Sequence, residues 1–328
     1  MKKTVLLIFL LSTTILQAQV VRKRTVKLMG SRFDITISAK SAPEAEAYID
    51  TAITEIERIE NVLSEWRAET LVSEINRNAG IKPVKVTPEL FGLTERALGF
   101  SKLTDGAFDI SFASMDKIWK YDGSMTELPS KESVKKSVQK VGYKNIILDK
   151  KNSTIFLKLP GMKIGFGSIG KGYAADKTKE LMVSKGVTAG IINASGDMNT
   201  WGKQPDGKEW TIGITNPMNQ NKVFATFPLS GNAVVTSGDY EKFVILNGKK
   251  YSHIIDPRTG YPAHGLSSVT VFASSAELAN GLSTSIMVMG KDAGLNLVNQ
   301  IPGMSCVIVD ENGQIFYSDA IDIKKHQK

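Results

Sequence analysis

Two short stretches of the chain carry the side chains best suited to acid–base chemistry and to binding phosphate. The first includes His253, Asp256 and Arg258 and continues into a proline–glycine turn that ends at residue 262. An imidazole changes its charge near neutral pH, so His253, one of three histidines, is the main candidate for a general base. Two structural alternatives stay open: a hydrogen-bonded histidine at a strand end, and an Asp256–Arg258 pair that only stabilises the turn.

The second stretch is glycine-rich and spans residues 165–172. It contains both G-x-G-x-x-G and G-x-x-x-x-G-K, patterns that let backbone N–H groups approach phosphate oxygens at a helix start. Pro160 and Gly161 interrupt the preceding run, which argues against the strand that a dinucleotide-binding fingerprint requires. Gly172 stands where a P-loop carries its magnesium-binding hydroxyl. A purely structural turn stays open, and we expect an anionic group near the start of the following helix.

A third group of polar residues lies in an otherwise apolar helix predicted over residues 275–289. Asn280 and Thr284 are four positions apart and therefore share one helix face. Oxygen atoms placed in this way suit a hard cation such as Mg²⁺. The alternative is that the small residues of this segment only allow the helix to pack closely against a neighbour.

Hydrophobic periodicity and turn residues predict the elements that must position these groups. Ser41 and Glu44 have the spacing of a capping box and start a helix whose apolar stripe reaches Leu63. Further helices are predicted at 88–103, 130–140, 171–185, 275–289 and 291–300. Strands are predicted within 25–38 and at 144–149, 153–158, 162–166, 189–193, 210–215, 222–228, 242–246, 250–255, 266–273, 305–309 and 314–318, with hairpin turns at 149–152, 247–249 and 311–314. The predicted strands and helices alternate irregularly and include several hairpins, which favours an α+β fold over a doubly wound parallel sheet.

Length and composition predict an ordinary globular protein, and the N-terminal segment predicts that it is exported. Two lysines precede an apolar run that ends near Ala18, as in a secretory signal peptide over residues 1–18; an uncleaved anchor is the alternative. The net charge of the 328 residues is +8, and loss of those two lysines leaves +6. The basic residues are scattered, which argues against nucleic-acid binding.

The single cysteine, Cys306, excludes an internal disulfide. We expect one domain over residues 22–322 and a solvated basic tail over 323–328.

Taken in order, the motifs resemble one family, the FAD:protein FMN transferases, also called ApbE-like flavin transferases. The resemblance runs from about Met29 to Gly290. Residues 104–109 (Thr-Asp-Gly-Ala-Phe-Asp) are close to the most distinctive stretch of the family, residues 253–262 are nearly a full match, and residues 167–176 also match. The other matching segments are Met29-Gly30-Ser31, Leu63-Ser64-Glu65-Trp66, Asn76, Trp119, 193–197, 236–240 and Leu282-Ser283-Thr284.

The resemblance implies a fold and an activity. The fold is a single compact α+β domain of the T-fold type, with a mixed, mostly antiparallel sheet and flanking helices, open to a division into two lobes with the flavin site between them. The activity is that of an exported, periplasmic enzyme that uses FAD as substrate and Mg²⁺ as cofactor. It transfers FMN to a threonine hydroxyl of an acceptor protein and releases AMP. The family suggests an electron-transfer or respiratory protein as the acceptor.

The resemblance also assigns roles to residues of this chain. The implied flavin contacts are Met29, Trp66, Ala107, Phe108, Asp109, Lys171 and Ile254. The implied metal positions are Ser168 (through its carbonyl), Asn280, Ser283 and Thr284. Lys171 would help to neutralise the pyrophosphate. His253 would accept the proton of the acceptor threonine, with Asp239 and Asp256 as the less favoured candidates.

Several positions depart from the family pattern. Gly165 stands where many members have Asp, Asn280 replaces the usual metal-binding Asp, and Ser283 stands where some members have a second Asp. An Asn280 carbonyl can still bind a cation, but the site loses a negative charge and should hold Mg²⁺ more weakly. Trp66 stands where tyrosine is frequent, and either ring can stack on a flavin. Two alternative functions therefore stay open: an enzyme that hydrolyses FAD to FMN and AMP, and a non-catalytic flavin-binding protein.

Overall fold

A computed structural model describes residues 19–229 and 231–321 of the chain. The predicted signal peptide and the predicted basic tail lie outside the described residues. The strands are β1 Val20–Leu28, β2 Ser31–Ala39, β3 Val84–Lys85, β4 Ile146–Asp149, β5 Thr154–Leu157, β6 Ala189–Ala194, β7 Asp197–Trp201, β8 Trp210–Asn216, β9 Asn219–Leu229, β10 Ala233–Gly238, β11 Phe243–Leu246, β12 Lys249–Ser252, β13 Leu266–Ala273, β14 Ser305–Asp310 and β15 Ile315–Tyr317. The α-helices are α1 Ala42–Leu63, α2 Leu71–Arg77, α3 Pro88–Leu103, α4 Lys131–Ser137, α5 Gly170–Ser184, α6 Ala276–Met289 and α7 Lys291–Asn299.

The central element is an eight-stranded sheet in the order β1-β2-β6-β7-β10-β13-β14-β15. Every pair of neighbouring strands in this sheet is antiparallel. Three smaller sheets, β3-β5-β4, β8-β9 and β11-β12, complete the described strands. The predicted α+β class with mostly antiparallel strands is confirmed, and the parallel sheet of a dinucleotide-binding fold is excluded.

The two faces of the large sheet are covered by different elements. Helices α1, α5 and α6 pack on one face, and α3 contacts α6. On β10, Val235 belongs to the core beneath these helices, whereas its neighbour Val234 packs on the other face with Trp210 of β8 and Leu229 of β9. This separation follows from the alternation of side chains along a strand. The β8–β9 ribbon thus covers the face that the helices leave free.

Helix α1 shows how the sequence fixes an element of this layer. Ser41 caps the helix by accepting a hydrogen bond from Glu44 N at 3.3 Å, and the Glu44 carboxylate in turn accepts from Lys40 N at 2.8 Å. The first bond satisfies a backbone N–H group that the first helical turn leaves without a partner, and the second satisfies the N–H group of the residue before the cap. One face of the helix is buried against the sheet, and its buried isoleucines are Ile49, Ile56 and Ile59. The predicted Ser41 cap is confirmed, whereas the Glu44 carboxylate bonds the N–H group of Lys40 and not that of Ser41, as a full capping box would require.

Two-residue turns set the register of the first hairpins. Met29 and Gly30 connect β1 to β2 and both have positive φ, at 49° and 68°. Ser195 and Gly196, at 54° and 100°, connect β6 to β7 in the same way. Positive φ at both central residues is the requirement of a type I′ hairpin turn. The second turn places Asp197 at the first position of β7, opposite Val235 of β10.

The predicted strand at 162–166 is wrong. Met162 and Ile164 are fully buried, which explains the apolar signal, but polar side chains take the place of a partner strand. Asn76 bonds both backbone groups of Ile164, at 2.8 Å and 3.0 Å, and Ser114 Oγ accepts from Lys163 N at 2.7 Å. Hydrogen bonds of this kind compete with a sheet ladder. The glycine-rich loop is therefore preceded by an irregular segment.

No helix in the described part of the chain is long and apolar enough to cross a bilayer.

Candidate functional site

A cavity of about 850 Å³ is lined by most of the candidate catalytic, flavin-binding and metal-binding residues identified in the sequence. Its wall is built by the glycine-rich loop and the start of α5, by one face of α6, by the ends of β10 and β12, and by the segments around residues 65, 108 and 117. This volume lies within the range of small-molecule sites, which combine apolar walls with a few polar groups. The three groups of residues identified in the sequence thus meet in one place.

His253 faces this cavity from the residue after β12. Its Nδ1 lies 3.1 Å from the carbonyl oxygen of Lys242. A carbonyl can only accept, so Nδ1 must carry the proton and donate it, and Nε2 is left as an unprotonated acceptor. Burial lowers the pKa of His253 below its ordinary value of 6.5, while the nearby Glu241 charge opposes the shift. A neutral imidazole with a free Nε2 is the form that accepts a proton.

The glycine-rich loop presents Gly167, Ser168 and Lys171 to the cavity. Helix α5 begins at Gly170, within this segment, and has no side-chain cap at its first turn. Uncapped N–H groups at a helix start attract anions because they are unpaired donors at the positive end of the helix dipole. A Cβ on Gly167 would meet no atom within 4 Å, so the loop backbone at this point is open to a ligand.

Gly172 has a packing role, which removes the P-loop interpretation. A Cβ at this position would overlap the carbonyl oxygen of Ala276, at the start of α6. The glycine therefore allows α5 and α6 to approach closely, and it does not stand in for a hydroxyl at a metal. The described residues 158–164, directly before the loop, form no strand, so the dinucleotide-binding interpretation also fails.

Three of the four implied metal positions line the cavity: Ser168, Asn280 and Thr284. The one-face prediction for Asn280 and Thr284 is confirmed, and Gly281 between them packs against the ring of Phe100, so close packing holds as well. Ser283 is not among the described residues of the cavity wall. Its hydroxyl lies 2.9 Å from Ser237 Oγ and donates to the carbonyl of Asn280.

Asp197 is the site residue whose role the sequence did not predict. It lies in the cavity wall with a side chain that is 3% exposed, and its Oδ2 is 3.4 Å from Lys171 Nζ. Burial raises the pKa of the Asp197 carboxyl to about 6, and Lys171 opposes this shift. An acidic residue directly after the Ser195-Gly196 turn was the available signal. The sequence alone could not place that turn beside the glycine-rich loop.

The carboxamide of Asn280 lies between two oxygen atoms. One of its terminal atoms is 3.1 Å from Ser168 O and 3.2 Å from Asp197 Oδ2. The amide nitrogen at this place would donate a hydrogen bond to each neighbour. The amide oxygen there would instead complete a cluster of three oxygens, an arrangement that suits a bound cation. The two ends of a carboxamide have the same shape, so the contact allows both arrangements.

The implied flavin contacts differ in how they reach the cavity. Trp66, Ala107, Phe108, Asp109, Lys171 and Ile254 line it. Trp66 is 75% exposed, with Lys117 Nζ 4.2 Å from its ring centroid. The Asp109 carboxylate is bonded to Ser111 and to Tyr143 N, so it also fixes the local backbone, and burial raises its pKa. Met29 is not among the described residues of the cavity wall and belongs to the core edge beside Gly170.

Asp239 and Asp256 are not in the described cavity wall either. Asp239 Oδ1 accepts from Lys250 Nζ at 2.7 Å. Asp256 accepts three hydrogen bonds from Arg258, two of them from its guanidinium, all at 2.9 Å. Asp256 N also donates to Tyr261 O. The turn-stabilising interpretation of the Asp256–Arg258 pair therefore describes the structure. Of the three candidate general bases, His253 is the one that lines the cavity.

Glu65 fills the space that a side chain at position 165 would need. A Cβ on Gly165 would overlap Glu65 Oε2 and come within 3.1 Å of Ala113 Cβ. This Oε2 is buried and has no hydrogen-bond partner among the described residues. Burial raises the pKa of Glu65, against the opposing charges of Lys117 and Lys163. Position 165 has no carboxylate in this chain, and the Glu65 carboxylate, from another segment, occupies that part of the cavity wall.

Comparison with known proteins gives one consistent result. The ApbE family model matches residues 29–308. The FAD:protein FMN transferase of Klebsiella pneumoniae (strain 342) is 31% identical over 293 residues, which cover 89% of this chain and 90% of the relative. That of Treponema pallidum is 30% identical over 287 residues, covering 83% and 79%. The crystal structure of the ApbE protein of Thermotoga maritima, at 32% identity, has a TM-score of 0.83 and covers 91% of this chain and 97% of that one. The resemblance noted in the sequence is confirmed: the chain belongs to the ApbE family.

Proposed function

We propose that this chain transfers FMN from FAD to a threonine hydroxyl of an acceptor protein and releases AMP. The observation that carries the proposal is that His253, Lys171 and the uncapped start of α5 line one cavity together with apolar side chains. The names of the relatives support FAD as the donor and a protein as the acceptor.

The chain's own groups provide the means to hold a pyrophosphate. Lys171 offers an ammonium group, and the loop around Gly167 offers backbone N–H donors in a place open to a ligand. Such groups stabilise the charge that develops on phosphoryl oxygens and on the leaving group. The apolar wall, including Phe108 and Ile254, offers a surface for the flavin ring.

His253 would act as the general base of the transfer. Its Nε2 accepts the proton of the threonine hydroxyl as the threonine oxygen forms a bond to the phosphorus of the FMN half. The bridging P–O bond of the pyrophosphate breaks, and its electron pair leaves with the phosphate of AMP. The Nδ1–H bond to Lys242 O stabilises the imidazolium formed in this step.

The oxygen atoms present also fit a hard cation. The Ser168 carbonyl, the Thr284 hydroxyl and the Asn280 carboxamide line one part of the cavity, and the close contact at Asn280 suits an oxygen cluster. Mg²⁺ held there would neutralise charge on the pyrophosphate. Neutral donors dominate this set, in agreement with the weaker binding expected from the loss of Asp at position 280.

We further propose that the protein works in the periplasm after removal of residues 1–18. The support is the lysine pair followed by an apolar run at the N-terminus. Determining the N-terminus of the protein purified from the periplasmic fraction tests this. A mature chain that begins near Gln19 is expected, and full-length protein confined to the cytoplasm would overturn the proposal.

The transfer reaction is tested by incubating the purified chain with FAD, Mg²⁺ and a candidate exported electron-transfer protein. Intact-mass spectrometry of the acceptor should show an added FMN less one water. An acceptor with the modified threonine replaced by valine should stay unmodified. Free FMN and AMP formed at the same rate without acceptor would favour FAD hydrolysis, and tight FAD binding with no AMP under either condition would favour a non-catalytic flavin protein.

A further inference from the structure

We propose that Asp197 is the carboxylate ligand of the divalent cation at this site, and that it provides the negative charge which Asn280 lacks. The inference rests on the proposed function for the presence of the cation. It assigns a role to a residue that the family resemblance left without one.

The first argument is the convergence of oxygen atoms. One terminal atom of the Asn280 carboxamide lies 3.1 Å from Ser168 O and 3.2 Å from Asp197 Oδ2. Neighbouring ligands 2.0–2.1 Å from an octahedral Mg²⁺ are about 2.9 Å apart. With the amide oxygen turned toward Ser168 and Asp197, its distances to both neighbouring oxygens are close to the spacing of adjacent Mg²⁺ ligands.

The second argument is the unusual environment of the Asp197 carboxylate. Two other buried aspartates are held by backbone donors: Asp109 accepts from Ser111 N and Tyr143 N, and Asp176 accepts from Ala276 N and Glu277 N. A third, Asp239, is held by a close bond of 2.7 Å from Lys250 Nζ. Asp197 instead contacts Lys171 Nζ at 3.4 Å and the carboxamide of Asn280. It begins β7 and lies in the cavity wall, so its charge faces the ligand space.

The third argument is the local charge balance. Hard cations bind carboxylates better than neutral oxygens, because the ligand charge compensates the loss of hydration. Ser168, Asn280 and Thr284 contribute only neutral oxygens to this part of the wall. Asp197 is the carboxylate that contacts the Asn280 carboxamide. Lys171 competes for the same oxygen, and a bound pyrophosphate would draw its ammonium group away.

Mn²⁺ binding tests the assignment without depending on catalysis. The bound fraction is measured by electron paramagnetic resonance of Mn²⁺ titrated into the protein, with and without FAD, and the Mn²⁺-induced shift of the unfolding temperature gives a second readout. Replacing Asp197→Asn should weaken Mn²⁺ binding at least about 10-fold, since even outer-shell partners of a metal are worth 10–100-fold. Lys171→Met should tighten Mn²⁺ binding in the absence of FAD, because it removes the competing charge.

A reciprocal exchange separates a ligand from a general charge effect. Asn280→Asp alone should tighten Mn²⁺ binding and increase the Mn²⁺-induced rise in unfolding temperature, because two carboxylates then face each other across the site. In the double variant, Asn280→Asp should restore the affinity lost in Asp197→Asn to within about 3-fold of the wild type. Glu241→Gln is the matched control: Glu241 lines the same cavity and interacts electrostatically with Asp197, and its loss should change Mn²⁺ affinity less than about 3-fold.

Three results would overturn the assignment. The first is wild-type Mn²⁺ affinity in a folded Asp197→Asn variant. The second is an equal loss of Mn²⁺ affinity in Glu241→Gln and Asp197→Asn. The third is a double variant in which Asn280→Asp does not restore Mn²⁺ affinity, which would leave Asp197 as a partner of Lys171 only. A wild type that transfers FMN but binds no Mn²⁺ would refute the ligand role and leave the transferase proposal standing. A wild type that binds Mn²⁺ through Asp197 but forms no FMN adduct would support the ligand role and refute the transferase proposal.

Discussion

Replacing His253 by alanine should lower the rate of FMN transfer by about 10²–10⁴-fold and leave FAD affinity unchanged. The expectation follows from the position of His253 at the cavity wall and from its tautomer, which leaves Nε2 free to take a proton. His253→Asn is the better structural control. The shorter amide can still donate toward Lys242 O but cannot act as a base, so it should be as slow as alanine with closer to wild-type stability.

The pH dependence of transfer adds a second, independent readout. Burial lowers the pKa of His253 from 6.5, and the general base must be unprotonated, so the rate should rise with pH and reach its plateau at a pH lower than for an ordinary histidine. Glu241 raises the pKa of His253 through its charge. Glu241→Gln should therefore move the acidic limb of the profile to still lower pH.

The assay is single-turnover FMN transfer, followed by the mass of the acceptor at a series of pH values. Asp239→Asn and Asp256→Asn serve as comparisons, because both carboxylates pair with basic side chains outside the described cavity wall. Each of these two substitutions should reduce the transfer rate less than about tenfold, because it disturbs only the local structure around the replaced carboxylate. A His253→Ala variant that keeps more than a tenth of the wild-type rate, or an acidic limb that moves upward in Glu241→Gln, would refute the role of His253.

Three further predictions concern the glycine-rich loop and its neighbours. Gly165→Ala should destabilise the wild type and do so less in a Glu65→Ala background, with a coupling of about 0.5–3 kcal/mol in urea unfolding; additive effects would contradict the contact. Gly172→Ala should lower the free energy of unfolding by about 1–3 kcal/mol, because its Cβ would overlap Ala276 O, and an unchanged urea midpoint would exclude this packing role. Lys171→Met should weaken FAD binding roughly 10–100-fold by titration calorimetry, and wild-type affinity would remove Lys171 from phosphate recognition.

Local signals predicted the elements well where they were strong. The helix over 88–103 and the hairpin turns near residues 150, 248 and 312 are present. Strand β7 and strand β10 were missed because their polar residues, such as Asn199, Thr236 and Ser237, hide the apolar alternation. The buried segment at 162–166 was mistaken for a strand because periodicity cannot reveal that Asn76 and Ser114 satisfy its backbone.

The site was predictable in its parts and not in its assembly. Spacing along a helix was enough to bring Asn280 and Thr284 to one face. Whether Asp256 faces a ligand or Arg258 depends on the geometry of a turn, and the structure has it bound to Arg258. Asp197 and Glu65 enter the cavity wall only because distant segments meet there, and such long-range contacts leave no mark on local sequence.

The measurement that tests the central claim most directly is the ratio of AMP released to acceptor modified in one reaction containing FAD and Mg²⁺. FMN transfer requires one AMP for each FMN bound to the acceptor, no adduct on the acceptor whose threonine is replaced, and little AMP without acceptor. Equal amounts of AMP and adduct are the predicted result. AMP accompanied by free FMN and an unmodified acceptor would contradict the account.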